Sequence, residues 1–267
     1  MKISFSTLGC PRWGWGEITA AARDLAYDGI EVRGVGKDIS VPSVPEFGAG
    51  ELAKTVEKLR ALNLSIPCLD SDCLLYKREN IEKTVLEVRT YVDLAKKLSA
   101  PYVRVFAAPP VPQPMGCVDE ELVKKQAREL AEYAGARGVT LLLETHGIWA
   151  SSQKLRRLLD QIASPYVGAI WDVHHPYRFM GEKPEETHEN LKPYIKHVHL
   201  KDSVWEGEHI RYRMPGHGDL PLCECVRLLK EGGYDGFYSL EWVKRWDMTL
   251  EEPGIALAQF PSFLRNL

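Results

Sequence analysis

Short apolar runs alternate along this chain with longer stretches whose apolar residues return every three or four positions, and the paired pattern occurs eight times. The first run, residues 3–7, is β-branched and aromatic and gives way to Gly9, Pro11 and a loop carrying Trp13 and Trp15. Ile18, Ala21, Ala22, Leu25 and Ala26 then fall at helical spacing, and Tyr27-Asp-Gly29 closes that helix. Residues 29–34 read as a second strand. A Pro-rich loop leads to a helix at about residues 49–62, and residues 64–69 form a third strand ending at Asp70-Ser-Asp72. The following helix puts Ile81, Val85, Val88, Val92 and Ala95 on one face. Residues 102–106 are a fourth strand, succeeded by a stiff loop with Pro109, Pro110, Pro112 and Pro114. Val123, Ala127, Leu130 and Ala134 mark the next helix.

The last four runs each stop at ligand-type side chains: Thr140-Leu-Leu-Leu-Glu144, Val167-Gly-Ala-Ile-Trp-Asp172, Ile195-Lys-His-Val-His199 and Gly236-Phe-Tyr-Ser-Leu-Glu241. Continuous apolar runs of this length, bounded by Gly or Pro, fit strands buried on both faces of a parallel sheet. Helices are expected at about 151–163, 184–192, 220–232 and 254–266, with Leu222, Val226 and Leu229 as the apolar stripe of the third of these. Eight strand–helix units across residues 1–267 leave no segment for a second domain and predict a single-domain α/β fold, the TIM (β/α)8 barrel, with its active site at the C-terminal strand ends. A doubly wound sheet would need a phosphate-binding turn after the first strand, and Leu8-Gly-Cys-Pro-Arg-Trp-Gly-Trp-Gly16 lacks the G-x-G-x-x-G spacing.

Composition narrows the partners. The 267 residues are 45% hydrophobic, enough for a substantial core, and the net charge of −3 with scattered Lys and Arg speaks against nucleic acid. A small, neutral or weakly anionic ligand is expected. The six cysteines lack C-x-x-C spacing and disulfide-scaffold density, which predicts reduced thiols in a cytoplasmic protein. No 7-to-15-residue apolar stretch precedes Cys10, so the start reads as a strand rather than a leader, and no run approaches the ~20 apolar residues of a membrane span. A homo-oligomer stays open.

In a barrel, Glu144, Asp172, His199 and Glu241 close the fifth to eighth strands and share one rim. Three carboxylates and one imidazole favour one divalent ion, with Mn²⁺ the first choice and Mg²⁺, Co²⁺ or Zn²⁺ as alternatives. His146, two residues after Glu144, faces the same cavity. His174 and His175 cannot point the same way on an extended strand; His175, beyond the strand end, is assigned to the site and His174 to packing. His197 shares a face with His199 but lies deeper, and His217 belongs to a Gly-rich turn. Arg104, flanked by Val103 and Val105, needs a buried counter-charge, for which Glu31 is the expected partner. Trp13, Trp15, Trp149 and Trp171 are either apolar walls of the mouth or core.

At these residues, and from the opening Ile3-Ser-Phe-Ser-Thr-Leu-Gly-Cys10 and Gly29-Ile-Glu-Val-Arg33 to Tyr234-Asp-Gly-Phe-Tyr-Ser-Leu-Glu241, the chain resembles the xylose isomerase-like TIM barrels. These include ketose 3-epimerases, inosose-processing enzymes and, more distantly, apurinic endonucleases. The resemblance implies a metal held by Glu144, Asp172, His199 and Glu241, His175 beside the substrate, and Glu144 and Glu241 as bases on opposite sides of a bound sugar. Proton abstraction α to a carbonyl gives an enediolate, and an acid on the other face returns the proton with inversion. The sequence departs from the ketose 3-epimerases at Ala150, where they carry a Glu, and at Trp205, where they carry an Arg; Arg211 or Arg213 replaces that arginine, and Lys201 adds a substrate contact. The endonuclease pattern is missing: Ile210 and Tyr212 stand where its Asp-x-His pair belongs, and strands three and four lack its added histidines.

Three functions follow in order: a metal-dependent isomerase or epimerase of a keto-sugar, inosose or related carbohydrate; a lyase or dehydratase using the same bases; and a non-catalytic sugar-binding or partner subunit, which the intact ligand set disfavours.

Overall fold

A computed structural model describes residues 1–267. In chain order its elements are β1 (Lys2–Ser6), α1 (Trp15–Asp24), β2 (Gly29–Glu31), α2 (Leu52–Ala61), β3 (Cys68–Leu74), α3 (Ile81–Leu98), β4 (Tyr102–Phe106), α4 (Glu120–Gly135), β5 (Thr140–Glu144) and α5 (Ser152–Ile162). There follow β6 (Val167–Asp172), α6 (Pro184–Leu191), β7 (Ile195–Leu200), β8 (Asp202–Glu206), β9 (His209–Arg213), α7 (Leu222–Glu231), β10 (Phe237–Leu240) and α8 (Pro253–Arg265). The chain divides into two compact units, residues 1–67 with 198–267, and residues 68–197.

In the first unit the hydrogen-bonded strand order is β2-β1-β10-β7, every pair parallel. Ser4, Phe5 and Ser6 face Gly29, Ile30 and Glu31 across one pairing, and Ser239 faces His199 across another. Gly29 is forced by proximity: a Cβ there would stand 2.7 Å from the Phe237 ring and 3.0 Å from the Ser65 carbonyl. The second unit runs β6-β5-β4-β3, again all parallel. Within each unit the parallel strands end together, so the side chains closing them collect at one end.

Burial explains why these runs are strands. Residues 141–144 of β5 and all of β6 are buried, as expected where helices cover the outer face and side chains fill the inner one. The helices present one apolar face each; in α3 it comprises Val88, Tyr91, Val92, Leu94, Ala95 and Leu98, while Ile81 and Val85 stay half-exposed because Thr84 takes the inward position in the first turn. Helix α4 is capped by Asp119, whose carboxylate accepts from the Leu122 N–H at 3.0 Å.

Two elements depart from the sequence pattern. Residues 202–213 form an antiparallel hairpin, β8–β9, turning at Gly207 with φ +63°. Residues 176–180 make a single π-turn directly after His175, opened by Pro176.

Candidate active site

In the second unit, Glu144 and Asp172 are the last residues of β5 and β6, 4% and 0% exposed. Asp172 is fixed from both sides: its Oδ1 accepts the His174 N–H at 2.9 Å, and Thr145 Oγ1 bridges its backbone, accepting from N at 2.9 Å and donating to O at 3.0 Å. The turn out of β6 brings His175 back over the strand ends. Its Nδ1 lies 2.8 Å from the Thr145 carbonyl, which places the proton on Nδ1 and makes Nε2 the basic nitrogen. The same Nδ1 is 3.8 Å from Asp172 Oδ1 and 3.9 Å from Glu144 Oε1. His146 meets His175 edge-on, with ring centres 5.1 Å apart. His174, fully buried, packs its ring on Phe179.

Arg104 supplies the compensating charge. It is 4% exposed, its Nη1 is 3.0 Å from Glu144 Oε2, its Nε is 3.9 Å from Asp70 Oδ1, and its guanidinium lies 4.5 Å above the Phe106 ring. The strand registers dictate this. Arg104 pairs with Asp70 on one side and Leu142 on the other, and Glu144 is two residues past Leu142 on the same face. Within its own unit the partners of Arg104 are thus Glu144 and Asp70.

In the first unit, His199 is wholly buried between two carboxylates, with Nε2 3.1 Å from Glu31 Oε1 and Nδ1 3.6 Å from Glu241 Oε1. Lys201, 2% exposed, reaches Glu241 Oε2 at 2.5 Å. The expected substrate lysine is therefore also the counter-ion of a candidate base. Next to it, Asp202 accepts the backbone N–H groups of Ser203, Gly216, Gly218 and Leu220 at 2.8–3.2 Å, clasping the Gly-rich turn. A Cβ at Gly218 would sit 2.0 Å from Asp202 Oδ1. Sequence reasoning missed Asp202 because its partners are backbone amides; the signal was Pro215-Gly-His-Gly, which begins fifteen residues beyond Leu200 at the end of the ligand strand.

The structure thus gathers Glu144, Asp172, His175 and His146 in one unit, and His199, Glu241 and Lys201 in the other. Arg213 lies apart from these contacts, half-exposed at the end of the hairpin opposite Asp202, and His217 is exposed. Trp15, Trp149 and Trp171 are buried, and Trp13 is half-exposed. No helix is long and apolar enough to cross a membrane.

Comparison with known proteins agrees with this layout. The chain is 25% identical over 287 aligned residues to the fructoselysine 3-epimerase of Shigella flexneri, covering 99% of this chain and 98% of that one. Among solved structures, the probable 3-DHS dehydratase AsbF of Bacillus anthracis superposes with a TM-score of 0.82 at 18% identity, covering 99% of both chains. The IOLI protein with a bound zinc atom gives 0.80 at 17%, covering 100% of this chain and 97% of that one. At such identities these two structures establish the fold, a TIM barrel, as the eight-unit pattern predicts. The model of the xylose isomerase-like TIM barrel matches residues 19–266, nearly the whole length over which the strand-end carboxylates and histidines are set out, and the chain belongs to that family.

Proposed function

We propose that this chain is a divalent-metal-dependent epimerase of a keto-sugar, which removes and returns the proton α to the carbonyl. The observation that carries the reading is the burial of four ligand-type groups at the C-terminal ends of parallel strands: Glu144, Asp172, His199 and Glu241 are each 6% exposed or less. Buried carboxylates are costly unless a cation answers them. Arg104 and Lys201 answer part of that charge within their own units. Three carboxylates and one imidazole suit a hard or borderline dication, with manganese our first choice. Glu144, Asp172, His199 and Glu241 are the residues that would hold it, and it would neutralise the negative charge of an enediolate.

The remaining work falls to side chains. Glu144 and Glu241 act as the two bases, one taking the proton and the other, as its conjugate acid, delivering a proton to the opposite face. Arg104 and Lys201 orient them. His175, with its proton held on Nδ1 by the Thr145 carbonyl, offers Nε2 to a sugar hydroxyl, and His146, Lys201 and Arg213 complete the contacts. End-to-end similarity to a fructoselysine 3-epimerase supports a ketose over an aldose. The test is incubation of the manganese-supplemented protein with ketoses in heavy water. Deuterium at the carbon next to the carbonyl, with an epimer accumulating, is expected. Loss of water would favour the dehydratase reading, and no exchange with any ketose would overturn the proposal.

A further inference from the structure

Strand register in the first unit brings to His199 a carboxylate that the four-residue ligand set leaves out. Glu31 ends β2 and His199 lies on β7, with β1 and β10 between them in the hydrogen-bonded order. Residues paired across neighbouring parallel strands point to one side of the sheet, so Ser239, opposite His199, and Ser4, opposite Ser239, share its face. Glu31 is on that face too, because it pairs with Ser6, two residues beyond Ser4. Inner positions of a barrel are usually filled by Val, Ile and Leu. Here both intervening positions are serines, small and wholly buried, which leaves the Glu31 side chain room to meet His199.

The two ring nitrogens of His199 therefore face different carboxylates. Nε2 is 3.1 Å from Glu31 Oε1, and Nδ1 is 3.6 Å from Glu241 Oε1. These carboxylates are not equivalent. Glu31 is the nearer, and the other oxygen of Glu241 is engaged by Lys201 Nζ at 2.5 Å. An ionised carboxylate can only accept, so the closer one draws the imidazole proton to Nε2. The lone pair is then left on Nδ1, on the side of Glu241, the other candidate ligand of this unit. A neutral imidazole binds a cation only through its unprotonated nitrogen, and the partner of the opposite nitrogen decides which one that is.

We propose that Glu31 is a positioning residue of the metal centre: it holds the proton of His199 on Nε2, sets the ring's orientation and so makes Nδ1 the ligating nitrogen. The inference rests on the reading that His199 and Glu241 hold a divalent ion, and adds to it the residue that prepares one of them. Glu31 acts through His199, since it stands at the ring nitrogen that does not face Glu241. A carboxylate behind a ligating imidazole also raises the basicity of the ring, which strengthens its bond to the ion.

Two measurements on the full chain test it. The first is calorimetric titration of the chelator-stripped protein with Mn²⁺. Glu31→Leu, which removes the acceptor, should weaken binding by about 10–100-fold, and Glu31→Gln, whose amide oxygen still accepts from Nε2, should weaken it less. The second is nitrogen magnetic resonance of the zinc-loaded, ¹⁵N-histidine-labelled wild type, with the His199 signal assigned by its absence from His199→Gln. The proton should be found on Nε2 and the metal on Nδ1. Should Glu31→Leu fail to fold, the wild-type spectrum and Glu31→Gln still decide. Unchanged Mn²⁺ affinity in Glu31→Leu, or a proton on Nδ1 in the zinc-loaded protein, overturns the proposal while leaving the metal reading intact. Glu31→Gln as damaging as Glu31→Leu overturns it in favour of Glu31 as a direct ligand. A wild type that binds neither ion removes the metal reading and this inference with it.

Discussion

Replacing Arg104 by Met tests whether the second unit depends on that single buried cation. The guanidinium is 4% exposed and serves Glu144 at 3.0 Å, Asp70 at 3.9 Å and the Ser71 carbonyl at 3.4 Å. Methionine fills much of the volume but leaves two buried carboxylates without it. Removing one partner of a buried pair costs about 3–5 kcal/mol, and the lost contact with the Phe106 ring adds roughly 0.5–2 kcal/mol. Against a total stability of about 5–15 kcal/mol this is a large share, worth a melting decrease of roughly 6–12 °C or more. Urea unfolding followed by circular dichroism, in chelator so that no ion takes over the compensation, measures it. Glu144→Gln should then rescue: in the double variant the neutral amide removes one stranded charge, and a coupling of about 1–3 kcal/mol is expected. A loss under ~1 kcal/mol, or a double variant no more stable than Arg104→Met alone, would refute this account of the network.

Glu241→Gln should lower turnover by about 10²–10⁴ while the far-ultraviolet spectrum is kept; near-normal turnover would remove Glu241 from the base role. Asp202→Asn weakens a carboxylate holding four backbone amides, so limited proteolysis should cut near residues 214–220 faster than in the wild type; equal rates would mean the turn holds itself. Cys117 and Cys223 are exposed and the other four thiols buried, so a thiol reagent should titrate two rapidly in the native protein and six after denaturation; a third fast thiol would contradict the packing. Burial pushes the Cys10 thiol from 9.0 up to about 12. A pKa raised by folding contributes stability that is complete below pH 9 and fades as pH rises toward 12, with a slope of up to about 1.4 kcal/mol per pH unit. Cys10→Ala should flatten the unfolding free energy over that window; an unchanged slope would refute the assignment.

The order of elements was legible because a strand buried on both faces must be apolar throughout, and each such run here ends where a polar side chain becomes tolerable. Helix limits fell within about three residues of those read from spacing, as at residues 152–162 and 184–191. The hairpin was not legible. Residues 209–213 are exposed or half-exposed, with no apolar run, and what holds them is pairing with β8. Nor were the partners of Arg104, since they depend on which strands neighbour β4 and in what register, and a lone sequence specifies neither. The contact of His199 with Glu31 is further removed still: in the first unit β1 and β10 lie between the strands that carry them.

The distribution of counter-charges bears on what an ion would do here. Glu144 has Arg104 in its own unit, Glu241 has Lys201 in its own, and Asp172 is held by a backbone N–H and by His175 at 3.8 Å. Two of the three candidate carboxylates are therefore charge-paired before any ion arrives, unlike a structural metal site whose ligands repel one another and whose protein unfolds on chelation. Metal removal should accordingly abolish turnover at little cost to the fold. The same pairing has a kinetic side. In the proposed reaction Lys201 must share or release Glu241 for that carboxylate to take a proton. Lengthening or shortening the lysine therefore bears on kcat more than on ion affinity.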